Sequence, residues 1–147
     1  MTPSSQWGTT PRASIEAECA RRGEDAVVAG CEELVRGGRV DDALLLALAG
    51  PAATPFLAGA ARDDDYWLRV WGLRGLLHVW DDGAADVVRT ALGDEHWRVR
   101  EMALKVTAKH EVDDTLDEVL ELRTDANGRV RTAAERAVVA LTTKPQR

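Results

Sequence analysis

Asp94-Glu-His-Trp-Arg-Val-Arg-Glu-Met-Ala-Leu104 is the middle of three segments that superimpose at a spacing of 31 residues. The one before it reads Asp63-Asp-Asp-Tyr-Trp-Leu-Arg-Val-Trp-Gly-Leu, and the one after it Asp125-Ala-Asn-Gly-Arg-Val-Arg-Thr-Ala-Ala-Glu. In register, Asp63, Asp94 and Asp125 coincide, as do Leu68, Val99 and Val130, then Arg69, Arg100 and Arg131. Gly72, Ala103 and Ala134 follow, and all are small. A repeat of this length signals a solenoid, because each unit buries its apolar face only against its neighbours.

Working outward, the apolar positions recur at helical steps. The core stripe on each inner helix is i, i+4, i+7, i+8. It is Leu68, Gly72, Gly75 and Leu76, then Val99, Ala103, Val106 and Thr107, then Val130, Ala134, Ala137 and Val138. The spacing predicts inner helices over 66–79, 97–110 and 128–141, with outer helices over 53–61, 84–92 and 115–123. The aspartate in the turn before each inner helix suits the free amides and positive dipole end of a helix N-terminus.

Upstream, helices are expected over 13–22, ended by Gly23, over 24–36, ended by Gly37-Gly38, and over 43–49, with Asp41 or Asp42 as cap. These pairs do not follow the 31-residue register, as suits the end of a solenoid, whose outer face is polar. No segment alternates with the two-residue period of a strand. The expected fold is therefore all-α: an α-solenoid superhelix of about four stacked antiparallel helix pairs. It forms one domain over 13–142, regular over 53–142, between a disordered tail at 1–12 and a short tail at 143–147.

The pattern Asp-x-x-x-x-(Val/Leu)-Arg-x-x-(Ala/Gly)-x-x-(Ala/Val/Gly) resembles the HEAT-repeat family, in the short HEAT-like form also found in phycobilisome lyases and bacterial adaptor proteins. The resemblance implies a ladder between the turn aspartates and inner-helix arginines of neighbouring repeats, here Asp94 and Asp125 with Arg69, Arg100 and Arg131. Such pairs, if partly exposed, are worth about 0–1 kcal/mol each, so their expected role is to set register. It also implies macromolecular recognition along the inner surface, without naming a partner.

Composition bounds the rest. At 147 residues, 45% apolar and 30% charged, the chain is an ordinary globular domain with a net charge of −6. Cys19 and Cys31 match no zinc or CxxC spacing and read as free thiols. The first 12 residues have no apolar core, so no secretory signal is expected there. The longest apolar run, 43–49, is far short of the roughly 20 residues that span a bilayer. A cytoplasmic protein without membrane contact is the expectation, and an arginine-to-lysine ratio of 16 to 3 hints at a GC-rich bacterial source.

The surface stripe beside the core stripe is the candidate binding face. It comprises Trp67, Trp71, Arg74 and His78, then Arg98, Met102, Lys105 and Lys109, then Arg129, Ala133, Arg136 and Ala140. Inner-helix segments carry nine Lys or Arg against Glu101 and Glu135, whereas segments 81–92 and 111–123 carry nine acids against Arg89 and Arg123. A net-acidic chain thus has a basic inner face, which favours an anionic partner. Trp67, Trp71, Arg74, His78, Arg98, Lys105, Lys109, Arg129 and Arg136 are the predicted partner-binding residues. Trp67 and Trp71 read equally as fillers of the space that Gly72 and Gly75 leave, and Trp80 and Trp97 as packing anchors. Trp7, in the N-terminal tail, reads as exposed or as a docking anchor.

Motifs for chemistry are missing. The only serines are Ser4, Ser5 and Ser14, and no Gly-x-Ser-x-Gly or phosphate-cradling glycine loop is present. His78, His96 and His110 have no metal-ligand spacing, and Glu111, Asp113, Asp114 and Asp117 read as first-turn charges rather than a calcium loop. A non-enzymatic module that needs no cofactor and binds a protein or acidic segment is the first reading. The alternative is nucleic-acid binding, since Asp65-Tyr66-Trp67-Leu68-Arg69 is faintly similar to a helix of the HEAT-like alkylpurine DNA glycosylases.

Overall fold

The computed structural model of the protein describes residues 10–60 and 62–143. Trp7 lies outside them. Among the described residues eight α-helices occur in order: α1 (Pro11–Arg22), α2 (Glu24–Val35), α3 (Asp42–Ala49), α4 (Tyr66–Leu76), α5 (Ala85–Ala91), α6 (Trp97–His110), α7 (Leu116–Leu122) and α8 (Gly128–Thr142). Among the described residues there is no strand, so the fold is all-α and built of helix pairs. The described residues divide into two compact units, one up to Ala84 and one from Ala85 on.

In the first unit, Thr10 caps α1 by accepting a hydrogen bond from the Ala13 amide at 3.1 Å, and Pro11 occupies the first helical position, where its missing N–H is no loss. That moves the start two residues ahead of the expected Ala13. Gly23, at φ 97°, lets α1 end and α2 begin without a spacer. Of the two candidate caps for α3, Asp41 takes the role, accepting from the Leu44 amide at 2.8 Å. It also receives both ends of the Arg22 guanidinium, at 2.8 and 2.9 Å, and these hydrogen bonds hold its carboxyl well below the usual range. Asp42 instead accepts from the Ala58 amide.

One expected helix does not form. Residues 50–59 wind as a 3₁₀ segment, broken where Leu57 turns extended and Ala58 takes φ 59°. The cause is local. Pro51 and Pro55 keep α3 from running on as an α-helix, Pro55 disfavours the α conformation at Thr54, and Gly50 and Gly59 adopt positive φ. Residues 42–59 are apolar enough to count as a membrane-spanning candidate by composition. The change of winding at Gly50, however, leaves only eight residues in α3, far fewer than the roughly 20 a span requires.

The core of this unit is the contact of α2 with α4. Gly72 and Gly75 let the helices approach closely. A Cβ on Gly72 would sit 2.7 Å from the Cys31 carbonyl oxygen, and one on Gly75 would sit 2.5 Å from the Cys31 sulfur. The space opposite these glycines is thus filled by α2 and Leu48, not by the rings of Trp67 and Trp71. Cys31 is enclosed there as a free thiol, and burial pushes its pKa up to about 12. It behaves as a small apolar side chain.

In the second unit α6 packs on α8, with α5 against α6 and α7 against α8. Val99, Ala103, Val106, Thr107, Val130, Ala134 and Ala137 of the predicted stripe are all fully buried; Val138 alone is half-buried. Thr107 satisfies its hydroxyl on the Ala103 carbonyl at 2.8 Å.

The aspartates of the repeat act differently from the expected helix caps. Asp94 and Asp125 accept from the amides of His96 and Asn127, at 2.9 and 2.8 Å. His96 and Asn127 are the caps themselves, accepting from the amides of Arg98 and Arg129. The aspartate therefore shapes the turn that positions the cap. One rung of the expected ladder lies within this unit: Arg100 forks onto Asp125 at 2.9 and 3.2 Å and donates to the Asp94 carbonyl at 2.8 Å. Burial pushes the Asp125 carboxyl up, but the Arg100 fork, the Asn127 amide and the charges of Arg100 and Arg131 outweigh it and hold the pKa below its ordinary value.

Candidate functional site

The α6–α8 surface of the second unit brings cations and an aromatic ring together. Trp97, Glu101 and Lys105 follow one another at four-residue steps on α6, so they share a face. Arg129, Ala133 and Arg136 do the same on α8 at steps of four and three. Together with Asn127, Gly128 and Thr132 they line an open groove of about 720 Å³.

Its electrostatics are organised by Glu101. This carboxylate is 8% exposed and lies 3.0 Å from Arg129 Nε and 3.7 Å from Lys105 Nζ. A buried carboxylate needs such partners, because desolvation disfavours an unpaired charge. Glu101 is thereby the counter-charge of two side chains that are otherwise largely exposed. Trp97 is flanked by two guanidiniums, Arg98 at 4.5 Å and Arg129 at 5.3 Å from the ring centroid, while His96 stacks on it at 6.2 Å. The face of the indole carries negative charge density, which attracts each cation. Lys105, Arg129 and Arg136 line the groove against one carboxylate, Glu101, so its lining is net positive.

The first unit holds a different arrangement on α4. Trp67 stacks on Trp71 with centroids 6.1 Å apart, and Phe56 meets Trp71 edge-on at 5.2 Å. These rings, with Arg74, line a cleft of about 320 Å³. Trp71 is only 4% exposed, so it is a wall of the core that shows one edge. The Arg74 guanidinium reaches back to donate to the Leu48 carbonyl at 2.6 Å.

Of the nine predicted binding residues, Lys105, Arg129 and Arg136 line the groove, and Trp67, Trp71 and Arg74 line the cleft. Arg98 contributes to the groove through the Trp97 ring. Lys109 is exposed on the last turn of α6 and lines neither, and His78 lies past the end of α4, outside the cleft. Trp80 is half-buried and donates its indole N–H to Asp82 at 3.1 Å.

Two groove residues escaped the sequence reading. Trp97, expected as a packing anchor, is half-buried and carries the cations. Glu101 entered only as a minority charge. A signal existed for both: Trp97 and Tyr66 share a register position at the start of an inner helix, and Trp97, Glu101 and Lys105 keep four-residue spacing. Among the described residues no group of three or more His, Cys, Asp or Glu is arranged to hold a metal ion.

A family model described as HEAT repeats matches residues 44–139. That span contains all three segments of the 31-residue register. No curated protein and no solved structure matches the chain.

Proposed function

The chain belongs to the HEAT-repeat family, whose members generally act as protein-interaction modules, and from that premise we propose that it is a non-enzymatic module whose α6–α8 groove binds an acidic segment of a partner protein. The observation that carries this reading is Trp97 with two guanidiniums, Arg98 and Arg129, over its ring, in a groove that Lys105 and Arg136 also line. Interfaces draw most of their binding energy from buried aromatic and arginine anchors. Partner carboxylates would be received by Arg129, Arg136 and Lys105, and an apolar partner side chain by the indole. Glu101 is the internal counter-charge of Arg129 and Lys105, so partner carboxylates compete with it for these cations.

A titration with a synthetic Glu/Ala-rich peptide, followed by tryptophan fluorescence, tests this. Wild type should bind, with affinity falling as salt rises. The Arg98→Glu, Lys105→Glu, Arg136→Glu variant should lose binding by at least roughly 100-fold, since each reversed charge replaces an attraction by a repulsion, while its helicity by circular dichroism stays unchanged. Equal binding by the variant would remove the groove from the interface. Running the same titration with a DNA duplex separates the other polyanion. Tighter, steeply salt-dependent capture of DNA would replace the protein partner by nucleic acid.

A further inference from the structure

The cleft in the first unit contains a cation that nothing nearby neutralises. Arg74 Nη2 is engaged by the Leu48 carbonyl, whereas Nε is buried without any acceptor. Among the described residues no carboxylate pairs with this guanidinium, and burial lowers its pKa. The other charges at the cleft, Arg62 and Asp64, satisfy each other at 2.9 Å. The contrast with the groove is direct: there Glu101 is the buried counter-charge, and here none is supplied. Arg74 is half-buried, and a buried Nε–H without an acceptor is unfavourable, so the cleft holds a charged donor that is still unmet.

The walls say what kind of anion would complete it. Phe56, Trp67 and Trp71 are apolar and aromatic, and Pro55 adds a rigid edge. Ligand pockets of about 300–1,000 Å³ with a few convergent polar groups are the usual small-ligand sites, and this cleft, at about 320 Å³, sits at their lower end. A phosphate dianion fits poorly, because it calls for several donors and a wet site. A single carboxylate on an apolar body matches one guanidinium and three rings.

We propose that this cleft is a second binding site, for a carboxylate carried on an apolar or aromatic body, with Arg74 meeting the charge and Phe56, Trp67 and Trp71 enclosing the body. Such a group is presented both by a free aryl acid and by the C-terminal residue of a peptide chain. The groove and the cleft differ in what they select: the groove takes a run of carboxylates, the cleft one carboxylate with its apolar neighbour.

The test is a proton–nitrogen NMR titration of the full chain, following the indole N–H signals of Trp67 and Trp71 and the Nε–H of Arg74. The probes are 3-phenylpropionate, its neutral counterpart 3-phenylpropanol, and Ala-Ala-Phe with a free or an amidated C-terminus. The free acid should shift all three signals and bind at least roughly tenfold more tightly than the alcohol, as expected for a hydrogen bond to a charged group. The amidated peptide should fail where the free one binds, and the tighter of the free peptide and phenylpropionate identifies the source. Arg74→Met should abolish the preference for acid over alcohol, with a thermal melt confirming that the variant is folded. Equal binding of acid and alcohol by wild type, or no shift of these signals with about 10 mM acid (a Kd weaker than any specific site needs), would overturn the proposal without any variant.

Discussion

The α2–α4 contact and the α6–α8 contact place equivalent positions of the inner helices against a neighbour, and they close the gap differently. On α4 the small positions are Gly72 and Gly75, pressed onto the Cys31 backbone and sulfur. On α8 the same register positions are Ala134 and Ala137, fully buried behind ordinary side chains. Polar chemistry differs in step. Beside the glycine contact, Arg74 has only a carbonyl and apolar walls; beside the alanine contact, Arg100 has Asp125 and Arg129 has Glu101. A repeat thus fixes where a residue sits, and the neighbour it meets decides what that residue does.

The largest expected effect breaks the steric half of this comparison. In Gly72→Ala the new methyl meets a backbone carbonyl at 2.7 Å, which cannot rotate away, so α2 and α4 must separate. Overpacking of this kind costs about 2–3 kcal/mol, read as a lower urea midpoint. Ala134→Gly in the other pair should cost about 1.5–2 kcal/mol, from about 1 kcal/mol of backbone entropy and about 0.8 kcal/mol for a buried methyl. Equal losses would show that the two contacts are not sterically distinct.

Next comes the polar half. Asp125→Asn keeps the shape but removes the charge that Arg100 grips, at a cost of about 1–2 kcal/mol at neutral pH. Because the folded-state pKa of Asp125 is depressed, its contribution is complete above the unfolded value of about 3.9. It disappears as pH falls through the lower folded value. Wild type and variant should therefore differ in stability at pH 7 and converge in acid. A gap that persists at the lowest pH would mean that the charge is not what stabilises the rung.

A smaller effect concerns the groove. Glu101→Gln frees Arg129 and Lys105 from an internal competitor, so the affinity for the Glu/Ala-rich peptide should rise by roughly threefold to tenfold, or about 0.7–1.4 kcal/mol. A decrease would show that Glu101 matters more as an organiser than as a competitor. Smallest is Ala58→Gly. Ala58 sits at φ 59°, strained for a residue with a Cβ, and glycine keeps the amide that Asp42 accepts. Relief of about 1–2 kcal/mol of left-handed strain, less about 0.4–1 kcal/mol of added unfolded-state freedom, leaves a small rise in thermal midpoint.

The repeat itself was legible because burial follows period. Leu68, Val99 and Val130 are core residues for the same reason that they align. The Arg100–Asp125 rung followed from the family resemblance, and the charge polarity of inner and outer helices from counting. What periodicity could not show depends on a partner's geometry. Whether Trp97 packs or carries cations turns on Arg129, 32 positions away in sequence, and whether Arg74 is paired turns on what faces it across α3. The missing helix at 53–61 was foreshadowed by Pro55, which disfavours the α conformation at Thr54 within an apolar pattern that otherwise suited a helix. His78 lies outside the cleft, two residues past the end of α4 at Leu76.

The groove assignment is tested most directly by one spectrum. The five indole N–H signals, each assigned by replacement, are followed as the Glu/Ala-rich peptide is added at low salt and then displaced by raising the salt. Trp97 should shift most, Trp67 and Trp71 should stay in place, and salt should reverse the change. Peptide binding that leaves Trp97 unmoved, or no binding at low salt, would contradict it.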